Sequence, residues 1–295
     1  MLEYFKNFNL LGDSLTEYEK TEKYFSKMMD NGIYPMNSTE YDTCFFICSF
    51  LDKHVVENDS FNTVNIDNLY KSALDSFLIY DDNEILEKID RIFQTSKVVY
   101  YDSYESTITD FKSIINHKKT NQNGNYVAEK ITIPDKFNSL ASVYFEHELH
   151  HILKDVYPNE YKLMLRYADV IPMFYELIKA ENTDDLTCKT IINNRIALLY
   201  EIKNDFTNSN LYANSIIFTF LNSKKYQYLN SFYYSLLLYK YYKESPEEIL
   251  KLVSYVLKGK ITTLDLINTL GINNRKFDDD ANNEFIIIKS KCQKS

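Results

Sequence analysis

Helix breakers are scarce in this chain, with only five glycines and five prolines in 295 residues. Each interrupts a helix at a cost of roughly 1 to 3 kcal/mol, so a sequence this poor in both is free to form long helices. The expected fold class is therefore mainly α with a small β-sheet, an α+β chain. Hydrophobic residues make up 45% and charged residues 25%, the balance of a folded globular protein rather than a disordered one. The length suits one or two domains. The change of character near residue 96 divides an N-terminal helical region, 1–95, from a region of mixed structure, 96–295.

Apolar residues recur at three and four positions from Tyr41 to Leu51 and from Leu69 to Phe93, which predicts helices there. Between Lys97 and Ile133 two short β-branched or aromatic runs, Val98–Tyr101 and Val127–Ile133, flank the polar turn Asn121–Asn125, the one place where a sheet is expected. A helix should start near Asn138 or Ser139, both competent caps, and end near Val156 ahead of Pro158. A second should run to about Glu181, bent at Pro172. Further helices are expected over Ile191–Phe206, Asn210–Leu221, Tyr226–Tyr242, Pro246–Leu257 and Thr263–Leu270, the last stopped by Gly271. The tail from Asn273, with its Phe285–Ile288 run, reads as loose chain or a strand.

The net charge of −9 disfavours a nucleic-acid partner or an anionic membrane surface. No cationic and apolar leader opens the sequence, and no apolar run reaches the roughly 18 to 20 residues that cross a bilayer. A cytoplasmic protein is expected. Cys44, Cys48, Cys188 and Cys292 are read as structural thiols.

The chemistry is concentrated in Phe145-Glu-His-Glu-Leu-His-His-Ile152, which contains His-Glu-x-x-His at 147–151. On a helix His147 and His151 lie about 40° apart and one turn apart in height, so both imidazoles reach one zinc ion. Glu148 lies about 60° from His151, placed to act as general base on a water activated by the metal. Phe145, Leu149, Ile152, Leu153 and Val156 form an apolar stripe roughly opposite the two histidines. The strand ending at Ile133 is expected to be an edge strand that aligns an extended substrate by backbone pairing. Glu146 and His150 offer a competing but weaker register, one carboxylate and one imidazole. His150 is then expected beside the site or at the surface, and His54 and His117 at surface or structural positions.

Catalytic zinc takes three protein ligands and keeps one position open. No histidine follows His151, so the third ligand is an acid. If the next helix folds back antiparallel, a rise of about 1.5 Å per residue returns it to the level of the histidines near Asp169. Glu176, seven residues on and on nearly the same face, is the other candidate.

These residues resemble the M3 metallopeptidases, the thimet oligopeptidase and oligoendopeptidase F group, over about residues 125–272. The zinc helix is followed by Asp169-Val-Ile-Pro-Met-Phe-Tyr-Glu176, similar to the family's ligand Glu and its second acid seven residues later. Ser231-Phe-Tyr-Tyr-Ser and Leu266-Ile-Asn-Thr-Leu-Gly-Ile272 look like the end of such enzymes. The departures are His150 where the family has Gly, Asp169 for the ligand Glu, a chain about half the usual length, and no C-terminal histidine. The resemblance implies a zincin-like helical core with an active-site cleft, one Zn2+, and a peptide or unfolded protein as substrate. It also implies an oxyanion donor among Tyr233 and Tyr234, with Tyr228 nearby. A catalytically inactive zinc-binding protein and a dedicated protease for a single target are the alternatives.

Overall fold

The computed structural model describes residues 62–95, 97–101, 116–120, 126–134, 136–137, 140–153, 167–184, 187–193, 195, 223–272 and 280–292. Helices dominate these residues. In chain order they are α1 (Ile66–Phe77), α2 (Asn83–Thr95), α3 (Ala141–Leu153), α4 (Val170–Glu181), α5 (Ser223–Glu244), α6 (Pro246–Leu257), α7 (Thr263–Thr269) and α8 (Asp280–Cys292), with a further helical stretch over 187–193. The strands are β1 (Asn62–Thr63), β2 (Lys97–Tyr101), β3 (Asn116–Thr120), β4 (Tyr126–Pro134) and β5 (Lys136–Phe137). Among the described residues no helix is long and apolar enough to cross a membrane. The helix expected over 41–51, most of those expected over 191–206 and 210–221, and His54, Cys44 and Cys48 lie outside the described residues.

Helix α3 is central, packing on α1, α2 and α4, while α5 packs on α4, α6 and α8. Of its apolar stripe Phe145, Leu149, Ile152 and Leu153 are buried, as is Val143, while Val156 lies outside the described residues. Glu146, His147 and His150 are buried as well. The helix is therefore enclosed on more than its apolar side, and three polar side chains need partners inside the protein. Helix α4 is buried at nearly every position from Val170 to Ala180. One continuous apolar core runs from Val64 and Leu69 on the N-terminal side to Phe285 and Cys292 at the other end.

The local stops follow their chemistry. Asn65 caps α1 by accepting the Asn68 N–H at 3.1 Å. Thr262 and Asp265 form a capping box at α7, and Gly271 follows it with φ at +67°, a conformation glycine adopts without a steric cost. Leu69–Phe93 is two helices rather than one, separated by a 3-10 turn over Leu78–Tyr80 and by Asp81 in the left-handed region.

Several expectations are corrected. The arm before the Asn121–Asn125 turn is β3, Asn116–Thr120, which pairs antiparallel with β4, while β2 pairs with β4 in parallel. Asn-His-Lys-Lys-Thr has little intrinsic strand preference, and pairing across the turn decides its state. His117 lies on this strand, opposite Lys130. With order β2-β4-β3, the strand that leads toward α3 is central. It pairs with β3 over Tyr126–Ile131 and with β2 over Lys130–Pro134, so it is not the edge strand expected from sequence. The described helix begins at Val170, so Pro172 sits in its first turn, where no intrahelical donor is needed; the start expected for this helix after Pro158 lies outside the described residues. The tail holds helix α8, in which Ala281, Phe285, Ile288 and Cys292 are buried at helical spacing while Ile286 and Ile287 are exposed.

Cys188 and Cys292, read from sequence as thiols, are joined in a disulfide with Cα atoms 5.4 Å apart and a sequence separation of 104. The bond ties α8 to the 187–193 stretch. Closing a loop of that length constrains the unfolded chain by about 4 to 5 kcal/mol on the loop-entropy model. Urea unfolding of the protein with and without a reductant should therefore show a fall in stability approaching that size. A Cys188→Ser/Cys292→Ser variant should match the reduced protein and ignore the reductant, whereas equal midpoints for oxidised and reduced wild type would show that the bond contributes nothing.

Candidate metal centre

Three atoms from two neighbouring helices form the centre. The Nε2 atoms of His147 and His151 lie 3.3 Å apart, and Asp169 Oδ1 lies 3.4 Å from the first and 3.2 Å from the second. The histidines come together because they are one turn apart on α3. Asp169 joins them because it stands at the N-cap of α4, which packs on α3. Ligands bound tetrahedrally at about 2.0 to 2.1 Å stand about 3.3 Å from one another. The triangle has that spacing on all three edges, so the residues fit three ligands of one small metal ion.

The other nitrogen of His147 is also committed. Its Nδ1 lies 2.7 Å from Glu176 Oε1, so an Nδ1–H donated to that carboxylate leaves the Nε2 lone pair facing the triangle. Glu176 thus binds the far side of the ring, and Asp169 alone of the two candidate acids stands at the triangle. Arg195 closes the chain of partners, its Nε and Nη2 donating to the two oxygens of Glu176.

The charges are strongly coupled. Burial pulls His147 down, but the Asp169 and Glu176 carboxylates outweigh it and hold the ring up at about 9. Burial carries His151 below its ordinary value, against the opposing pull of Asp169 and Glu148. Burial works against the Asp169 carboxylate, yet hydrogen bonds from both histidines keep it far below the usual range. Glu176, likewise buried, is held down to about 2 by the Arg195 charge and by His147.

Glu148 is half-buried on α3, and its charge acts on both His151 and Tyr228. Tyr228, near the start of α5, is half-buried, and its hydroxyl is pushed up to about 12 by burial and by the charges of Asp169 and Glu148. It is a protonated donor at neutral pH. Tyr233 and Tyr234 lie five and six residues further along α5, about 120 to 140° around the helix from Tyr228. Both are in the apolar core at 3% exposure, and Tyr234 meets the ring of Tyr167 edge-on.

A second polar cluster occupies the adjoining face of α3. Glu146 is fully buried and accepts from Ser72 Oγ at 2.7 Å, Ser76 Oγ at 3.0 Å, Tyr175 OH at 2.6 Å and Lys179 Nζ at 3.1 Å. His150 is no surface residue. Its Nδ1 lies 2.6 Å from the Glu146 carbonyl, its Nε2 lies 2.7 Å from the Tyr80 hydroxyl, and its ring packs on Phe77 and Tyr175. The Glu146/His150 pair therefore belongs to the packing of α1, α3 and α4. Arg195 was not singled out from sequence. Its signal was an isolated cation among the apolar residues of Ile191-Ile-Asn-Asn-Arg-Ile-Ala-Leu-Leu-Tyr200.

No family model, curated protein or solved structure matches the chain.

A metal displaces the proton that His147 holds in the metal-free protein. Between the ordinary histidine value and about 9, uptake should release one proton, and affinity should rise with pH and level off above that value. Titration calorimetry with zinc in two buffers of different ionisation heat reads the release directly. Identical heats in both buffers, with pH-independent affinity, would contradict the assignment.

Proposed function

We propose that this chain is a zinc-dependent metallopeptidase with a zincin-like helical core, similar to the M3 group and acting on a peptide or unfolded protein segment. The observation that carries the reading is the near-equilateral triangle of His147, His151 and Asp169, with edges of 3.2 to 3.4 Å. Two imidazoles and one carboxylate are a donor set suited to a single zinc ion, and three protein ligands with one open position are the pattern of catalytic sites. Held there, zinc supplies the Lewis acidity that makes an attacking water acidic and polarises a peptide carbonyl.

The chain's own residues divide the remaining work. Glu148, on the same helix as both histidines, takes the proton of the attacking water and delivers it to the leaving amine. Tyr228 keeps its proton at neutral pH and donates to the oxygen on which negative charge develops. Tyr233 and Tyr234, the donors expected from sequence, are core residues that back the helix carrying Tyr228. Glu176 and Arg195 act behind His147. A zinc-binding module without catalysis would have no use for a carboxylate next to a ligand on the metal helix, and the presence of Glu148 between His147 and His151 favours an enzyme.

The Cys188–Cys292 disulfide favours one form of this reading over the cytosolic one expected from sequence. Such bonds persist where thiols oxidise and are rare in the reducing cytosol. An enzyme that works outside that compartment, including one dedicated to a single protein target, fits the disulfide better.

Glu148→Gln should keep its zinc and lose about 10² to 10⁴ of the rate. Tyr228→Phe should lose about 10² to 10³ in kcat with its metal content unchanged. Mass spectrometry of a peptide library and of a denatured protein, after incubation with zinc-loaded enzyme, measures both. Zinc bound by wild type without cleavage of either would remove the enzyme acting on peptides and unfolded segments, and leave a metal-binding protein or a protease dedicated to a single target.

A further inference from the structure

We infer that Arg195 is a positioning residue for the metal centre: its guanidinium holds both oxygens of Glu176 and, through Glu176, sets the His147 ring with Nε2 turned toward His151 and Asp169. The inference rests on the metal-site half of the proposed function and is independent of the substrate.

A histidine ring has a broad, roughly two-fold preference about its terminal torsion, so the helix alone does not decide which nitrogen faces the triangle. The partner on the far side decides it, and here that partner is Glu176 Oε1, 2.7 Å from Nδ1. Glu176 is itself a carboxylate with a side chain only 3% exposed. An uncompensated charge at that depth is strongly unfavourable, and a carboxylate with one ring as its sole partner would be free to rotate or take up a proton. Arg195 prevents both. Its Nε donates to Oε2 and its Nη2 to Oε1, a two-point grip that fixes the plane of the carboxylate and hence the direction of the oxygen that meets His147. Arg195 Nη2 also stands 3.4 Å from His147 Nδ1. Two donors that close cannot bond to each other, so both must aim at the oxygen they share.

The planar fork is the property that matters. Lysine would restore the charge but offers a single point of contact in place of two fixed donors. The arginine comes from a different part of the fold, two residues beyond the 187–193 stretch that Cys188 ties to α8. The ring orientation at the metal thus depends on an element outside the α3–α4 pair.

The test uses the full chain and compares wild type with Arg195→Met, Arg195→Lys, Glu176→Gln and the Arg195→Met/Glu176→Gln double variant. Zinc affinity is read by competition with a chromogenic chelator, and site geometry by the visible absorption of the cobalt-substituted protein. Arg195→Met and Glu176→Gln should each weaken zinc binding by about 10- to 100-fold and change the cobalt spectrum. The double variant should be no more than about twofold weaker than the worse single, because the two residues act as one unit. Arg195→Lys should fall between wild type and Arg195→Met, and it carries the test by itself if Arg195→Met does not fold. Wild-type affinity and an unchanged cobalt spectrum in Arg195→Lys, or in Arg195→Met where that variant folds, would overturn the inference while leaving the metal site standing. Losses in the two singles that multiply in the double would overturn it in the same way. Absence of zinc binding by wild type would remove the metal reading and this inference together.

Discussion

The contact between α3 and α4 is held by buried charge as well as by apolar packing, and the rest of the site depends on it. Two carboxylates lie almost wholly out of water there, Glu146 on α3 and Glu176 on α4. Each is satisfied mainly from outside its own helix. Glu146 takes the Tyr175 hydroxyl and Lys179 from α4 and two serines from α1. Glu176 takes His147 from α3 and the fork of Arg195. The two systems interlock through neighbours in sequence, with Glu146 and His150 on one face of α3 and His147 and His151 on the next, and with Tyr175 and Glu176 adjacent on α4. Sliding or rotating α3 against α4 by one residue would take Tyr175 and Lys179 from Glu146 and His147 from Glu176, leaving each buried carboxylate short of partners. Apolar packing alone tolerates such slips far better, so these charges define the register that brings Asp169 to the histidines.

That arrangement also explains why a motif of five residues needs so much surrounding structure. His-Glu-x-x-His puts two imidazoles on one side of any helix, but it does not set their tautomers, exclude water from their far sides or bring a third donor. Glu176 and Arg195 meet the first need. Burial meets the second, with His147 only 5% exposed. Asp169 meets the third. A buried group forms strong, directed interactions because water does not compete, and the same burial would make each of these groups unfavourable without its partner.

The parts of this that could be read from sequence are the local ones. The two histidines and Glu148 follow from helical spacing alone, and α6 and α7 follow from periodicity, a first-turn proline and a capping box. Asp169 was reachable by counting the rise of one helix against the return of the next, with Glu176 left open because a crossing angle cannot be read from spacing. Arg195 was not reachable, since it stands 19 residues from Glu176 and its role appears only once α4 is packed. The Cys188–Cys292 bond, the central position of β4 and the helical state of α8 were hidden for the same reason. Each depends on which distant segments meet, and β3 in particular is a strand by pairing rather than by composition.

Asp169 and Pro172 show how one short segment serves both the fold and the chemistry. Asp169 occupies the N-cap of α4, where an aspartate normally turns its side chain back to accept the N–H of the second or third helical residue. Here no such side-chain bond forms. The third helical residue is Pro172, which has no N–H to offer, so one of the two usual attractions for the capping carboxylate is missing from the sequence. The helix gives up a cap worth about 1 kcal/mol, and the carboxylate turns to His147 and His151 instead. It stays at the positive end of the α4 dipole, which favours its ionised form whichever way it points. A first-turn proline is otherwise harmless, because that donor would be unsatisfied in any case. The proline thus frees the aspartate for the site without breaking the helix that positions it, and the short side chain of Asp suits a backbone that already lies beside the histidines.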